Sequence, residues 1–183
     1  VGCEIIQLNQ INFNTFLPLE MENLNNQFTA EMVKTTLQGW CNAVVATGKV
    51  YAEGGDVKAF ANQVLSEAYD YDNGSVLFKP TLTSGEQTFR PTKDGALSYF
   101  VGKNPSYTID HGFLLEPWTK VWSTNENFIL NGNLALVQCN IHFISAKREI
   151  FVNKSFVFKI CNDSKIRICL HHSSLPYNPN PIT

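Results

Sequence analysis

The chain carries little charge for its 183 residues. Lys and Arg number 14 and Asp and Glu 16, a net of −2, with the two signs mixed along the sequence. The basic face that nucleic-acid binding calls for is missing. No apolar run approaches the ~20 residues of a membrane-spanning helix, and no signal peptide is visible. Starting at Val1, the chain reads as cut from something longer. The five cysteines, Cys3, Cys41, Cys139, Cys161 and Cys169, are odd in number and form no CxxC. Three sit in strand-like apolar surroundings, where cysteine behaves as a small hydrophobe. This pattern points to a reducing compartment and no disulfide framework. There is no HExxH, no paired Cys-His spacing, no G-x-S-x-G elbow and no phosphate-binding glycine loop. The histidines are His111, His142, His171 and His172. Neighbours in a strand face opposite ways, so His171 and His172 do not chelate one ion. No protein-ligated metal is expected.

What remains is an ordinary globular composition, 44% apolar and 12% aromatic with 13 Phe, long enough for one domain with a substantial core. Residues 1–27 are rich in Asn and Gln without a sustained period and read as a leader or linker, with a short helix near Leu19 to Leu24. Residues 28–177 form the domain and 178–183 a tail. Thr29 caps a long amphipathic helix carrying Met32, Val33, Leu37, Trp40, Cys41, Val44 and Val45. Gly54-Gly55 breaks it. Asp56 caps a second helix with Val57, Phe60, Ala61, Val64, Leu65 and Ala68. A short strand over 75–78 stops at Pro80, 81–91 reads as a loop, and Thr92 caps a short helix ended by Gly102. After Pro105 the pattern is all β, with strands over roughly 117–130, 133–145, 149–161 and 164–174. Asn131-Gly132, Ala146-Lys147-Arg148 and Asn162-Asp163 mark the reversals, and links this short make neighbouring strands antiparallel. Leu134 and Leu136 point one way, Ala135, Val137, Ile141 and Phe143 the other. A sheet apolar on both faces suggests helices on one side and a second subunit on the other. The expected class is α+β: N-terminal helices on a curved antiparallel sheet, a cone whose open end is a pocket.

The last strand, Ile166 to Pro176, is the element that changes character. By strict alternation Ile166, Ile168, Leu170, His172 and Ser174 share one face. That face is apolar until an imidazole and a hydroxyl appear, as when a buried strand reaches a pocket. The alternative is a strand end whose polar residues bond to nearby backbone. The chain also offers Thr81, Arg90, Thr92 and Tyr99 as pocket residues, Tyr99 two helical turns after Thr92.

Leu77-Phe78-Lys79-Pro80-Thr81, Phe89-Arg90-Pro91-Thr92, Leu97-Ser98-Tyr99-Phe100 and the closing His171-His172-Ser173-Ser174-Leu175-Pro176 together resemble the iota-class carbonic anhydrases of the NTF2-like superfamily, relatives of the association domain of the calcium/calmodulin-dependent kinase. The resemblance covers about 29–177, and the HHSSLP run is its most specific part. It implies a homodimer that interconverts carbon dioxide and bicarbonate, in a family with members described as metal-free and as manganese-preferring. Loosely bound manganese or zinc is therefore the alternative to a cofactor-free site. The positions that match the family's pocket are Thr81, Tyr99 and Ser174, with His172 adjacent by alternation. In that reading a water sits between the three hydroxyls and His172 takes its proton. A plastid of an alga or a bacterial cytoplasm or periplasm would house it. Two other classes are open to the residues. One is a non-catalytic association module, from which composition does not distinguish the enzyme. The other is an NTF2-like isomerase or dehydratase, which calls for a pocket carboxylate that no motif places beside His172.

Overall fold

The computed structural model describes residues 26–179. Nearly all of the leader, with its expected helix near Leu19 to Leu24, and most of the tail lie outside the described residues.

Helix α1 spans Ala30–Ala52, and the Thr29 side chain accepts from the Met32 amide at 3.2 Å. Val33, Leu37, Trp40, Cys41 and Val44 recur at three- and four-residue intervals and are buried, the stripe of an amphipathic helix. A side chain at Gly48 would press within 3.1 Å of the Glu116 carbonyl and 3.2 Å of the Trp118 amide, so glycine lets α1 lie against the chain leading into the sheet. Helix α2, Val57–Ala68, is capped by Asp56, whose carboxylate accepts from Ala59 N at 2.9 Å. Helix α3, Lys93–Val101, is capped by Thr92 and ends at Gly102, whose φ of 64° suits a residue without a Cβ.

Strands β2 (Lys120–Asn131), β3 (Leu134–Ile144), β4 (Glu149–Ile160) and β5 (Ile166–Ser174) form an antiparallel run. The short β1, Leu77–Lys79, adds to β5 in parallel, giving the order β1-β5-β4-β3-β2. The α+β class read from the sequence holds, and β1 makes the sheet mixed. The first reversal falls one residue later than expected: Asn131 stays in the strand opposite Leu134, and Gly132 takes the positive φ of 57°.

The inner face of the sheet presents Ala135, Val137, Cys139, Ile141 and Phe143 from β3 and Val152, Lys154, Phe156, Phe158 and Ile160 from β4, all buried beneath the helices. Only Lys154 breaks this apolar alternation. The outer face keeps Ile129 (69% exposed), Leu136 (42%) and Phe151 (41%) in contact with solvent.

The three helix caps give this architecture a simple check. Thr92→Ala removes an acceptor from the Gly95 amide at 3.2 Å, and should lower stability by about 1 kcal/mol, read as a drop in denaturant midpoint with an unchanged slope.

Candidate active site

Strict alternation fails in β5 at one residue. Val157 pairs with Leu170 but Phe158 pairs with Ile168, so Cys169 is extra on β5, and its thiol donates to the Val157 carbonyl at 3.4 Å. Such a bulge reverses the face of everything beyond it. Ile166 and Ile168 point into the core before it; His171 and Ser173 do so after it, each only 1% exposed. His172 and Ser174 turn to the outer face, His172 exposed and Ser174 half-buried. The expectation that these two share the face of Ile166 and Ile168 is therefore corrected; His171 and Ser173, which strict alternation would turn to the other face, take the core face instead.

Parallel pairing of β1 with β5 sets Lys79 opposite His172, and Pro80 ends the strand. The next residue, Thr81, thereby reaches the end of β5: Thr81 Oγ1 lies 2.6 Å from Ser173 Oγ. Lys79 Nζ ties the two segments by donating to the carbonyls of Thr81 at 3.3 Å and Ser173 at 3.1 Å. Tyr99, on α3, faces the same place. Burial pushes its phenol pKa up, while hydrogen bonding from the Thr81 side chain and from the Leu82 and Thr81 backbone pulls the other way. These groups edge a narrow cavity of about 10 Å³, walled by Trp40, Phe78, Phe113, Phe143 and Val152 and floored by Lys154, His171 and Ser173. That is room for about one water.

Beneath the cavity runs a buried chain of polar groups. Trp40 Nε1 donates to Tyr69 Oη at 3.0 Å, Tyr69 Oη lies 2.9 Å from His171 Nδ1, and His171 Nε2 lies 2.7 Å from Lys154 Nζ. The imidazole is clasped by rings, Phe156 at 4.6 Å and Phe78 at 4.7 Å between centroids. Burial holds His171 well below the ordinary histidine value, with Lys154 and His172 adding in the same direction. Burial also pulls Lys154 down to about 7, against which Cys139 and Cys41 act.

Of the pocket residues expected from the sequence, Thr81 and Tyr99 meet at this cavity. His172 and Ser174 do not; they line a broader depression of about 400 Å³ on the outer face with Asn125, Asn140 and Asn153 among others. Arg90 is buried in an ion pair with Asp110 at 2.8 Å, and Thr92 serves as a helix cap. His142 stacks between Trp122 and Phe151 on the outer face. Sequence reasoning missed Ser173, His171, Tyr69, Trp40 and Lys154. The signal for Lys154 was legible: it occupies a core parity in the run Val152, Phe156, Phe158, Ile160. The signal for β5 was not, since no glycine or proline marks the bulge.

The sequence model of the metal-independent carbonic anhydrases matches residues 31–175. The chain belongs to this family. The metal-independent carbonic anhydrase of Nostoc sp. (strain PCC 7120 / SAG 25.82 / UTEX 2576) is 38% identical over 157 residues, 84% of this chain and 77% of that protein. A crystal structure of the iota-carbonic anhydrase from a cyanobacterium, complexed with bicarbonate, shares 37% identity at a TM-score of 0.83, covering 87% of this chain and 99% of that one. A ketosteroid isomerase-like chain of Parabacteroides distasonis ATCC 8503, 16% identical with a TM-score of 0.50 over 85% of this chain and 99% of that one, is alike in fold alone. The donor chemistry around this cavity is compatible with the family's description as metal-independent. Among the described residues no three His, Cys, Asp or Glu side chains converge as metal ligands. Hydroxyls, one imidazole and an amine suit neither manganese nor zinc, so the residues present do not fit either ion and no step is routed through one.

The buried amine leaves a mark on stability. Lys154 falls from 10.5 to about 7 on folding, so between those values the unfolded chain binds the extra proton and stability rises with pH. Lys79, lowered by burial, acts in the same sense. Above about 9 the thiols of Cys41 and Cys139, pushed by burial from 9.0 to about 12, reverse it. Denaturant midpoints should therefore climb from pH 7 to 9, and climb less in Lys154→Met. Equal slopes in the two proteins would count against a neutral Lys154.

Proposed function

We propose that this protein interconverts carbon dioxide and bicarbonate in the cavity below the end of β5, on a water held by Thr81, Ser173 and Tyr99. The observation that carries this reading is the Thr81–Ser173 hydroxyl pair, 2.6 Å apart, at the polar end of a slot otherwise walled by rings and large enough for one water. Two hydroxyls and a phenol supply both donors and acceptors, so they fix the water with a lone pair free. Phe78, Phe113, Phe143 and Val152 wall the rest of the slot, and in this reading their side chains part to admit carbon dioxide beside the water, since the slot at rest has room for the water alone. The Tyr99 phenol, raised in pKa, keeps its proton near neutral pH and donates to the substrate oxygen as negative charge develops there. Holding the reactants in place supplies most of the gain. Without the charge of a zinc ion, which takes water from a pKa of about 15.7 to about 7, the catalyst is modest. His172 and Ser174, on the opposite face, take no part.

The working form is a homodimer joined through the outer face of the sheet. Support comes from Ile129, Leu136 and Phe151, apolar side chains left exposed on adjacent strands, where solvent contact is unfavourable. Its location is a plastid of an alga or a bacterial cytoplasm or periplasm; the free thiols of Cys41, Cys139, Cys161 and Cys169 fit a reducing compartment.

Stopped-flow hydration of carbon dioxide by chelator-treated protein, with elemental analysis of the same sample, tests the activity. Turnover should persist with no stoichiometric metal; loss on chelation with recovery on adding one ion would overturn it. Thr81→Ala, Ser173→Ala and Tyr99→Phe should each lower the rate on the order of 10²-fold through loss of water orientation, while Ser174→Ala and His172→Ala leave it nearly unchanged.

Light scattering at micromolar concentration should report a dimer, and Leu136→Glu should shift it toward monomer. A wild-type monomer would exclude the sheet interface.

A further inference from the structure

Adding water to carbon dioxide releases a proton, and the three hydroxyls do not store it. The cavity floor holds one group suited to that task. Trp40 Nε1–H is a donor only, so Tyr69 Oη accepts from it at 3.0 Å. Among the described residues the remaining partner of that phenol is His171 Nδ1 at 2.9 Å. Full pairing therefore has the Tyr69 O–H donate to Nδ1. The neutral imidazole then carries its proton on Nε2 and points it at Lys154 Nζ, 2.7 Å away. That contact pairs only if Lys154 offers a lone pair, which an ammonium lacks. The opposite assignment buries a full charge and leaves the Tyr69 hydroxyl hydrogen without an acceptor, an unfavourable pairing.

The surroundings agree. Lys154 is 6% exposed and forms no ion pair with a carboxylate among the described residues. It is faced by Cys41 and Trp40 from α1, Cys139 from β3, and His171 and Ser173 from β5, with Tyr99 of α3 and Thr81 across the cavity. Glu126 of β2 acts on the two thiols. The Trp40 ring lies 4.7 Å from Nζ and receives the cation once it forms.

We propose that Lys154 is a catalytic residue of the hydration reaction, its neutral amine on the cavity floor taking the proton that water loses as it adds to carbon dioxide. The inference rests on the hydration reading above. In the step, the water oxygen bonds to carbon, one C=O π pair moves onto oxygen, and the water O–H electrons complete the new bond's oxygen. The freed proton joins the Nζ lone pair. Amine, water and carbon dioxide thus become ammonium and bicarbonate, and the ammonium returns its proton to solvent before the next cycle. To take that proton the amine turns its lone pair from His171 Nε2–H toward the water, and the ammonium then leans on the Trp40 ring until it is deprotonated, while His171 keeps its proton on Nε2 and Tyr69 its own.

The test uses the full chain labelled with ¹⁵N-lysine, the Lys154 Nζ signal being the one missing from Lys154→Arg. It should show an amine at pH 8.5 and an ammonium at pH 5.5. Hydration rates should fall 10²–10⁴-fold in Lys154→Met, the usual worth of a general base. They should fall as far in Lys154→Arg, which keeps the charge but never gives it up. An Nζ that stays ammonium to pH 9, a Lys154→Met with the wild-type rate, or a Lys154→Arg that works as well as wild type each overturns the proposal and leaves the hydration reading standing. A wild-type protein without hydration activity overturns both. Should Lys154→Met fail to fold by circular dichroism, the wild-type titration and Lys154→Arg decide the matter.

Discussion

One unpaired residue in β5 governs what the rest of the molecule presents to its cavity. Because Cys169 is extra relative to β4, the strand enters the bulge with Ile166 and Ile168 against the core and leaves it with His171 and Ser173 there. The packing that accepts this shift is aromatic. Phe78, Phe156, Trp40 and Tyr69 all set their rings within about 6 Å of the imidazole. Without the bulge, the same position would bring His172 against these rings and leave Ser173 on the far side from Thr81.

A polar chain buried this deeply must be satisfied internally. Each member here finds its partner in the next: indole, phenol, imidazole, amine. Among the described residues no carboxylate takes part, and that absence has a chemical consequence. A buried Lys–Glu pair would lock the amine as a cation, whereas a neutral partner leaves it able to gain and lose a proton near neutral pH. Under the proposed mechanism, a group that changes charge easily serves water activation without a Lewis acid better than a fixed ion pair would.

Fixed charges are used instead to hold the frame. Arg90 and Asp110 pair at 2.8 Å out of contact with solvent, the second carboxylate oxygen accepting from Ser98 Oγ at 2.6 Å, while the guanidinium lies over the Tyr107 ring at 4.4 Å. The Arg90 amide donates to the Phe78 carbonyl at 2.8 Å, and Tyr71 Oη donates to the Arg90 carbonyl at 2.9 Å. Breaking a buried pair of this kind strands a charge, typically at a cost of about 3–5 kcal/mol. The segment from β1 to α3 is thereby held to both β1 and α3, with Thr81 at one end and Tyr99 beyond the other.

The sequence by itself determined the elements, their caps and the class of fold. Helical periodicity, Thr29, Asp56 and Thr92 as acceptors, and short polar reversals between apolar runs are local properties, and local physics decides them. It also carried the family resemblance and the pairing of Thr81 and Tyr99 as candidates. Tertiary structure alone decided which of the two adjacent histidines and serines entered the cavity. A bulge arises from how two distant strands twist and pack, and β5 contains no residue whose backbone preference marks one. Tertiary structure also decided the charge of Lys154, since a side chain's proton affinity depends on what surrounds it. Residues 40, 69 and 171 reach it only once α1, the end of α2 and β5 have closed around the same core.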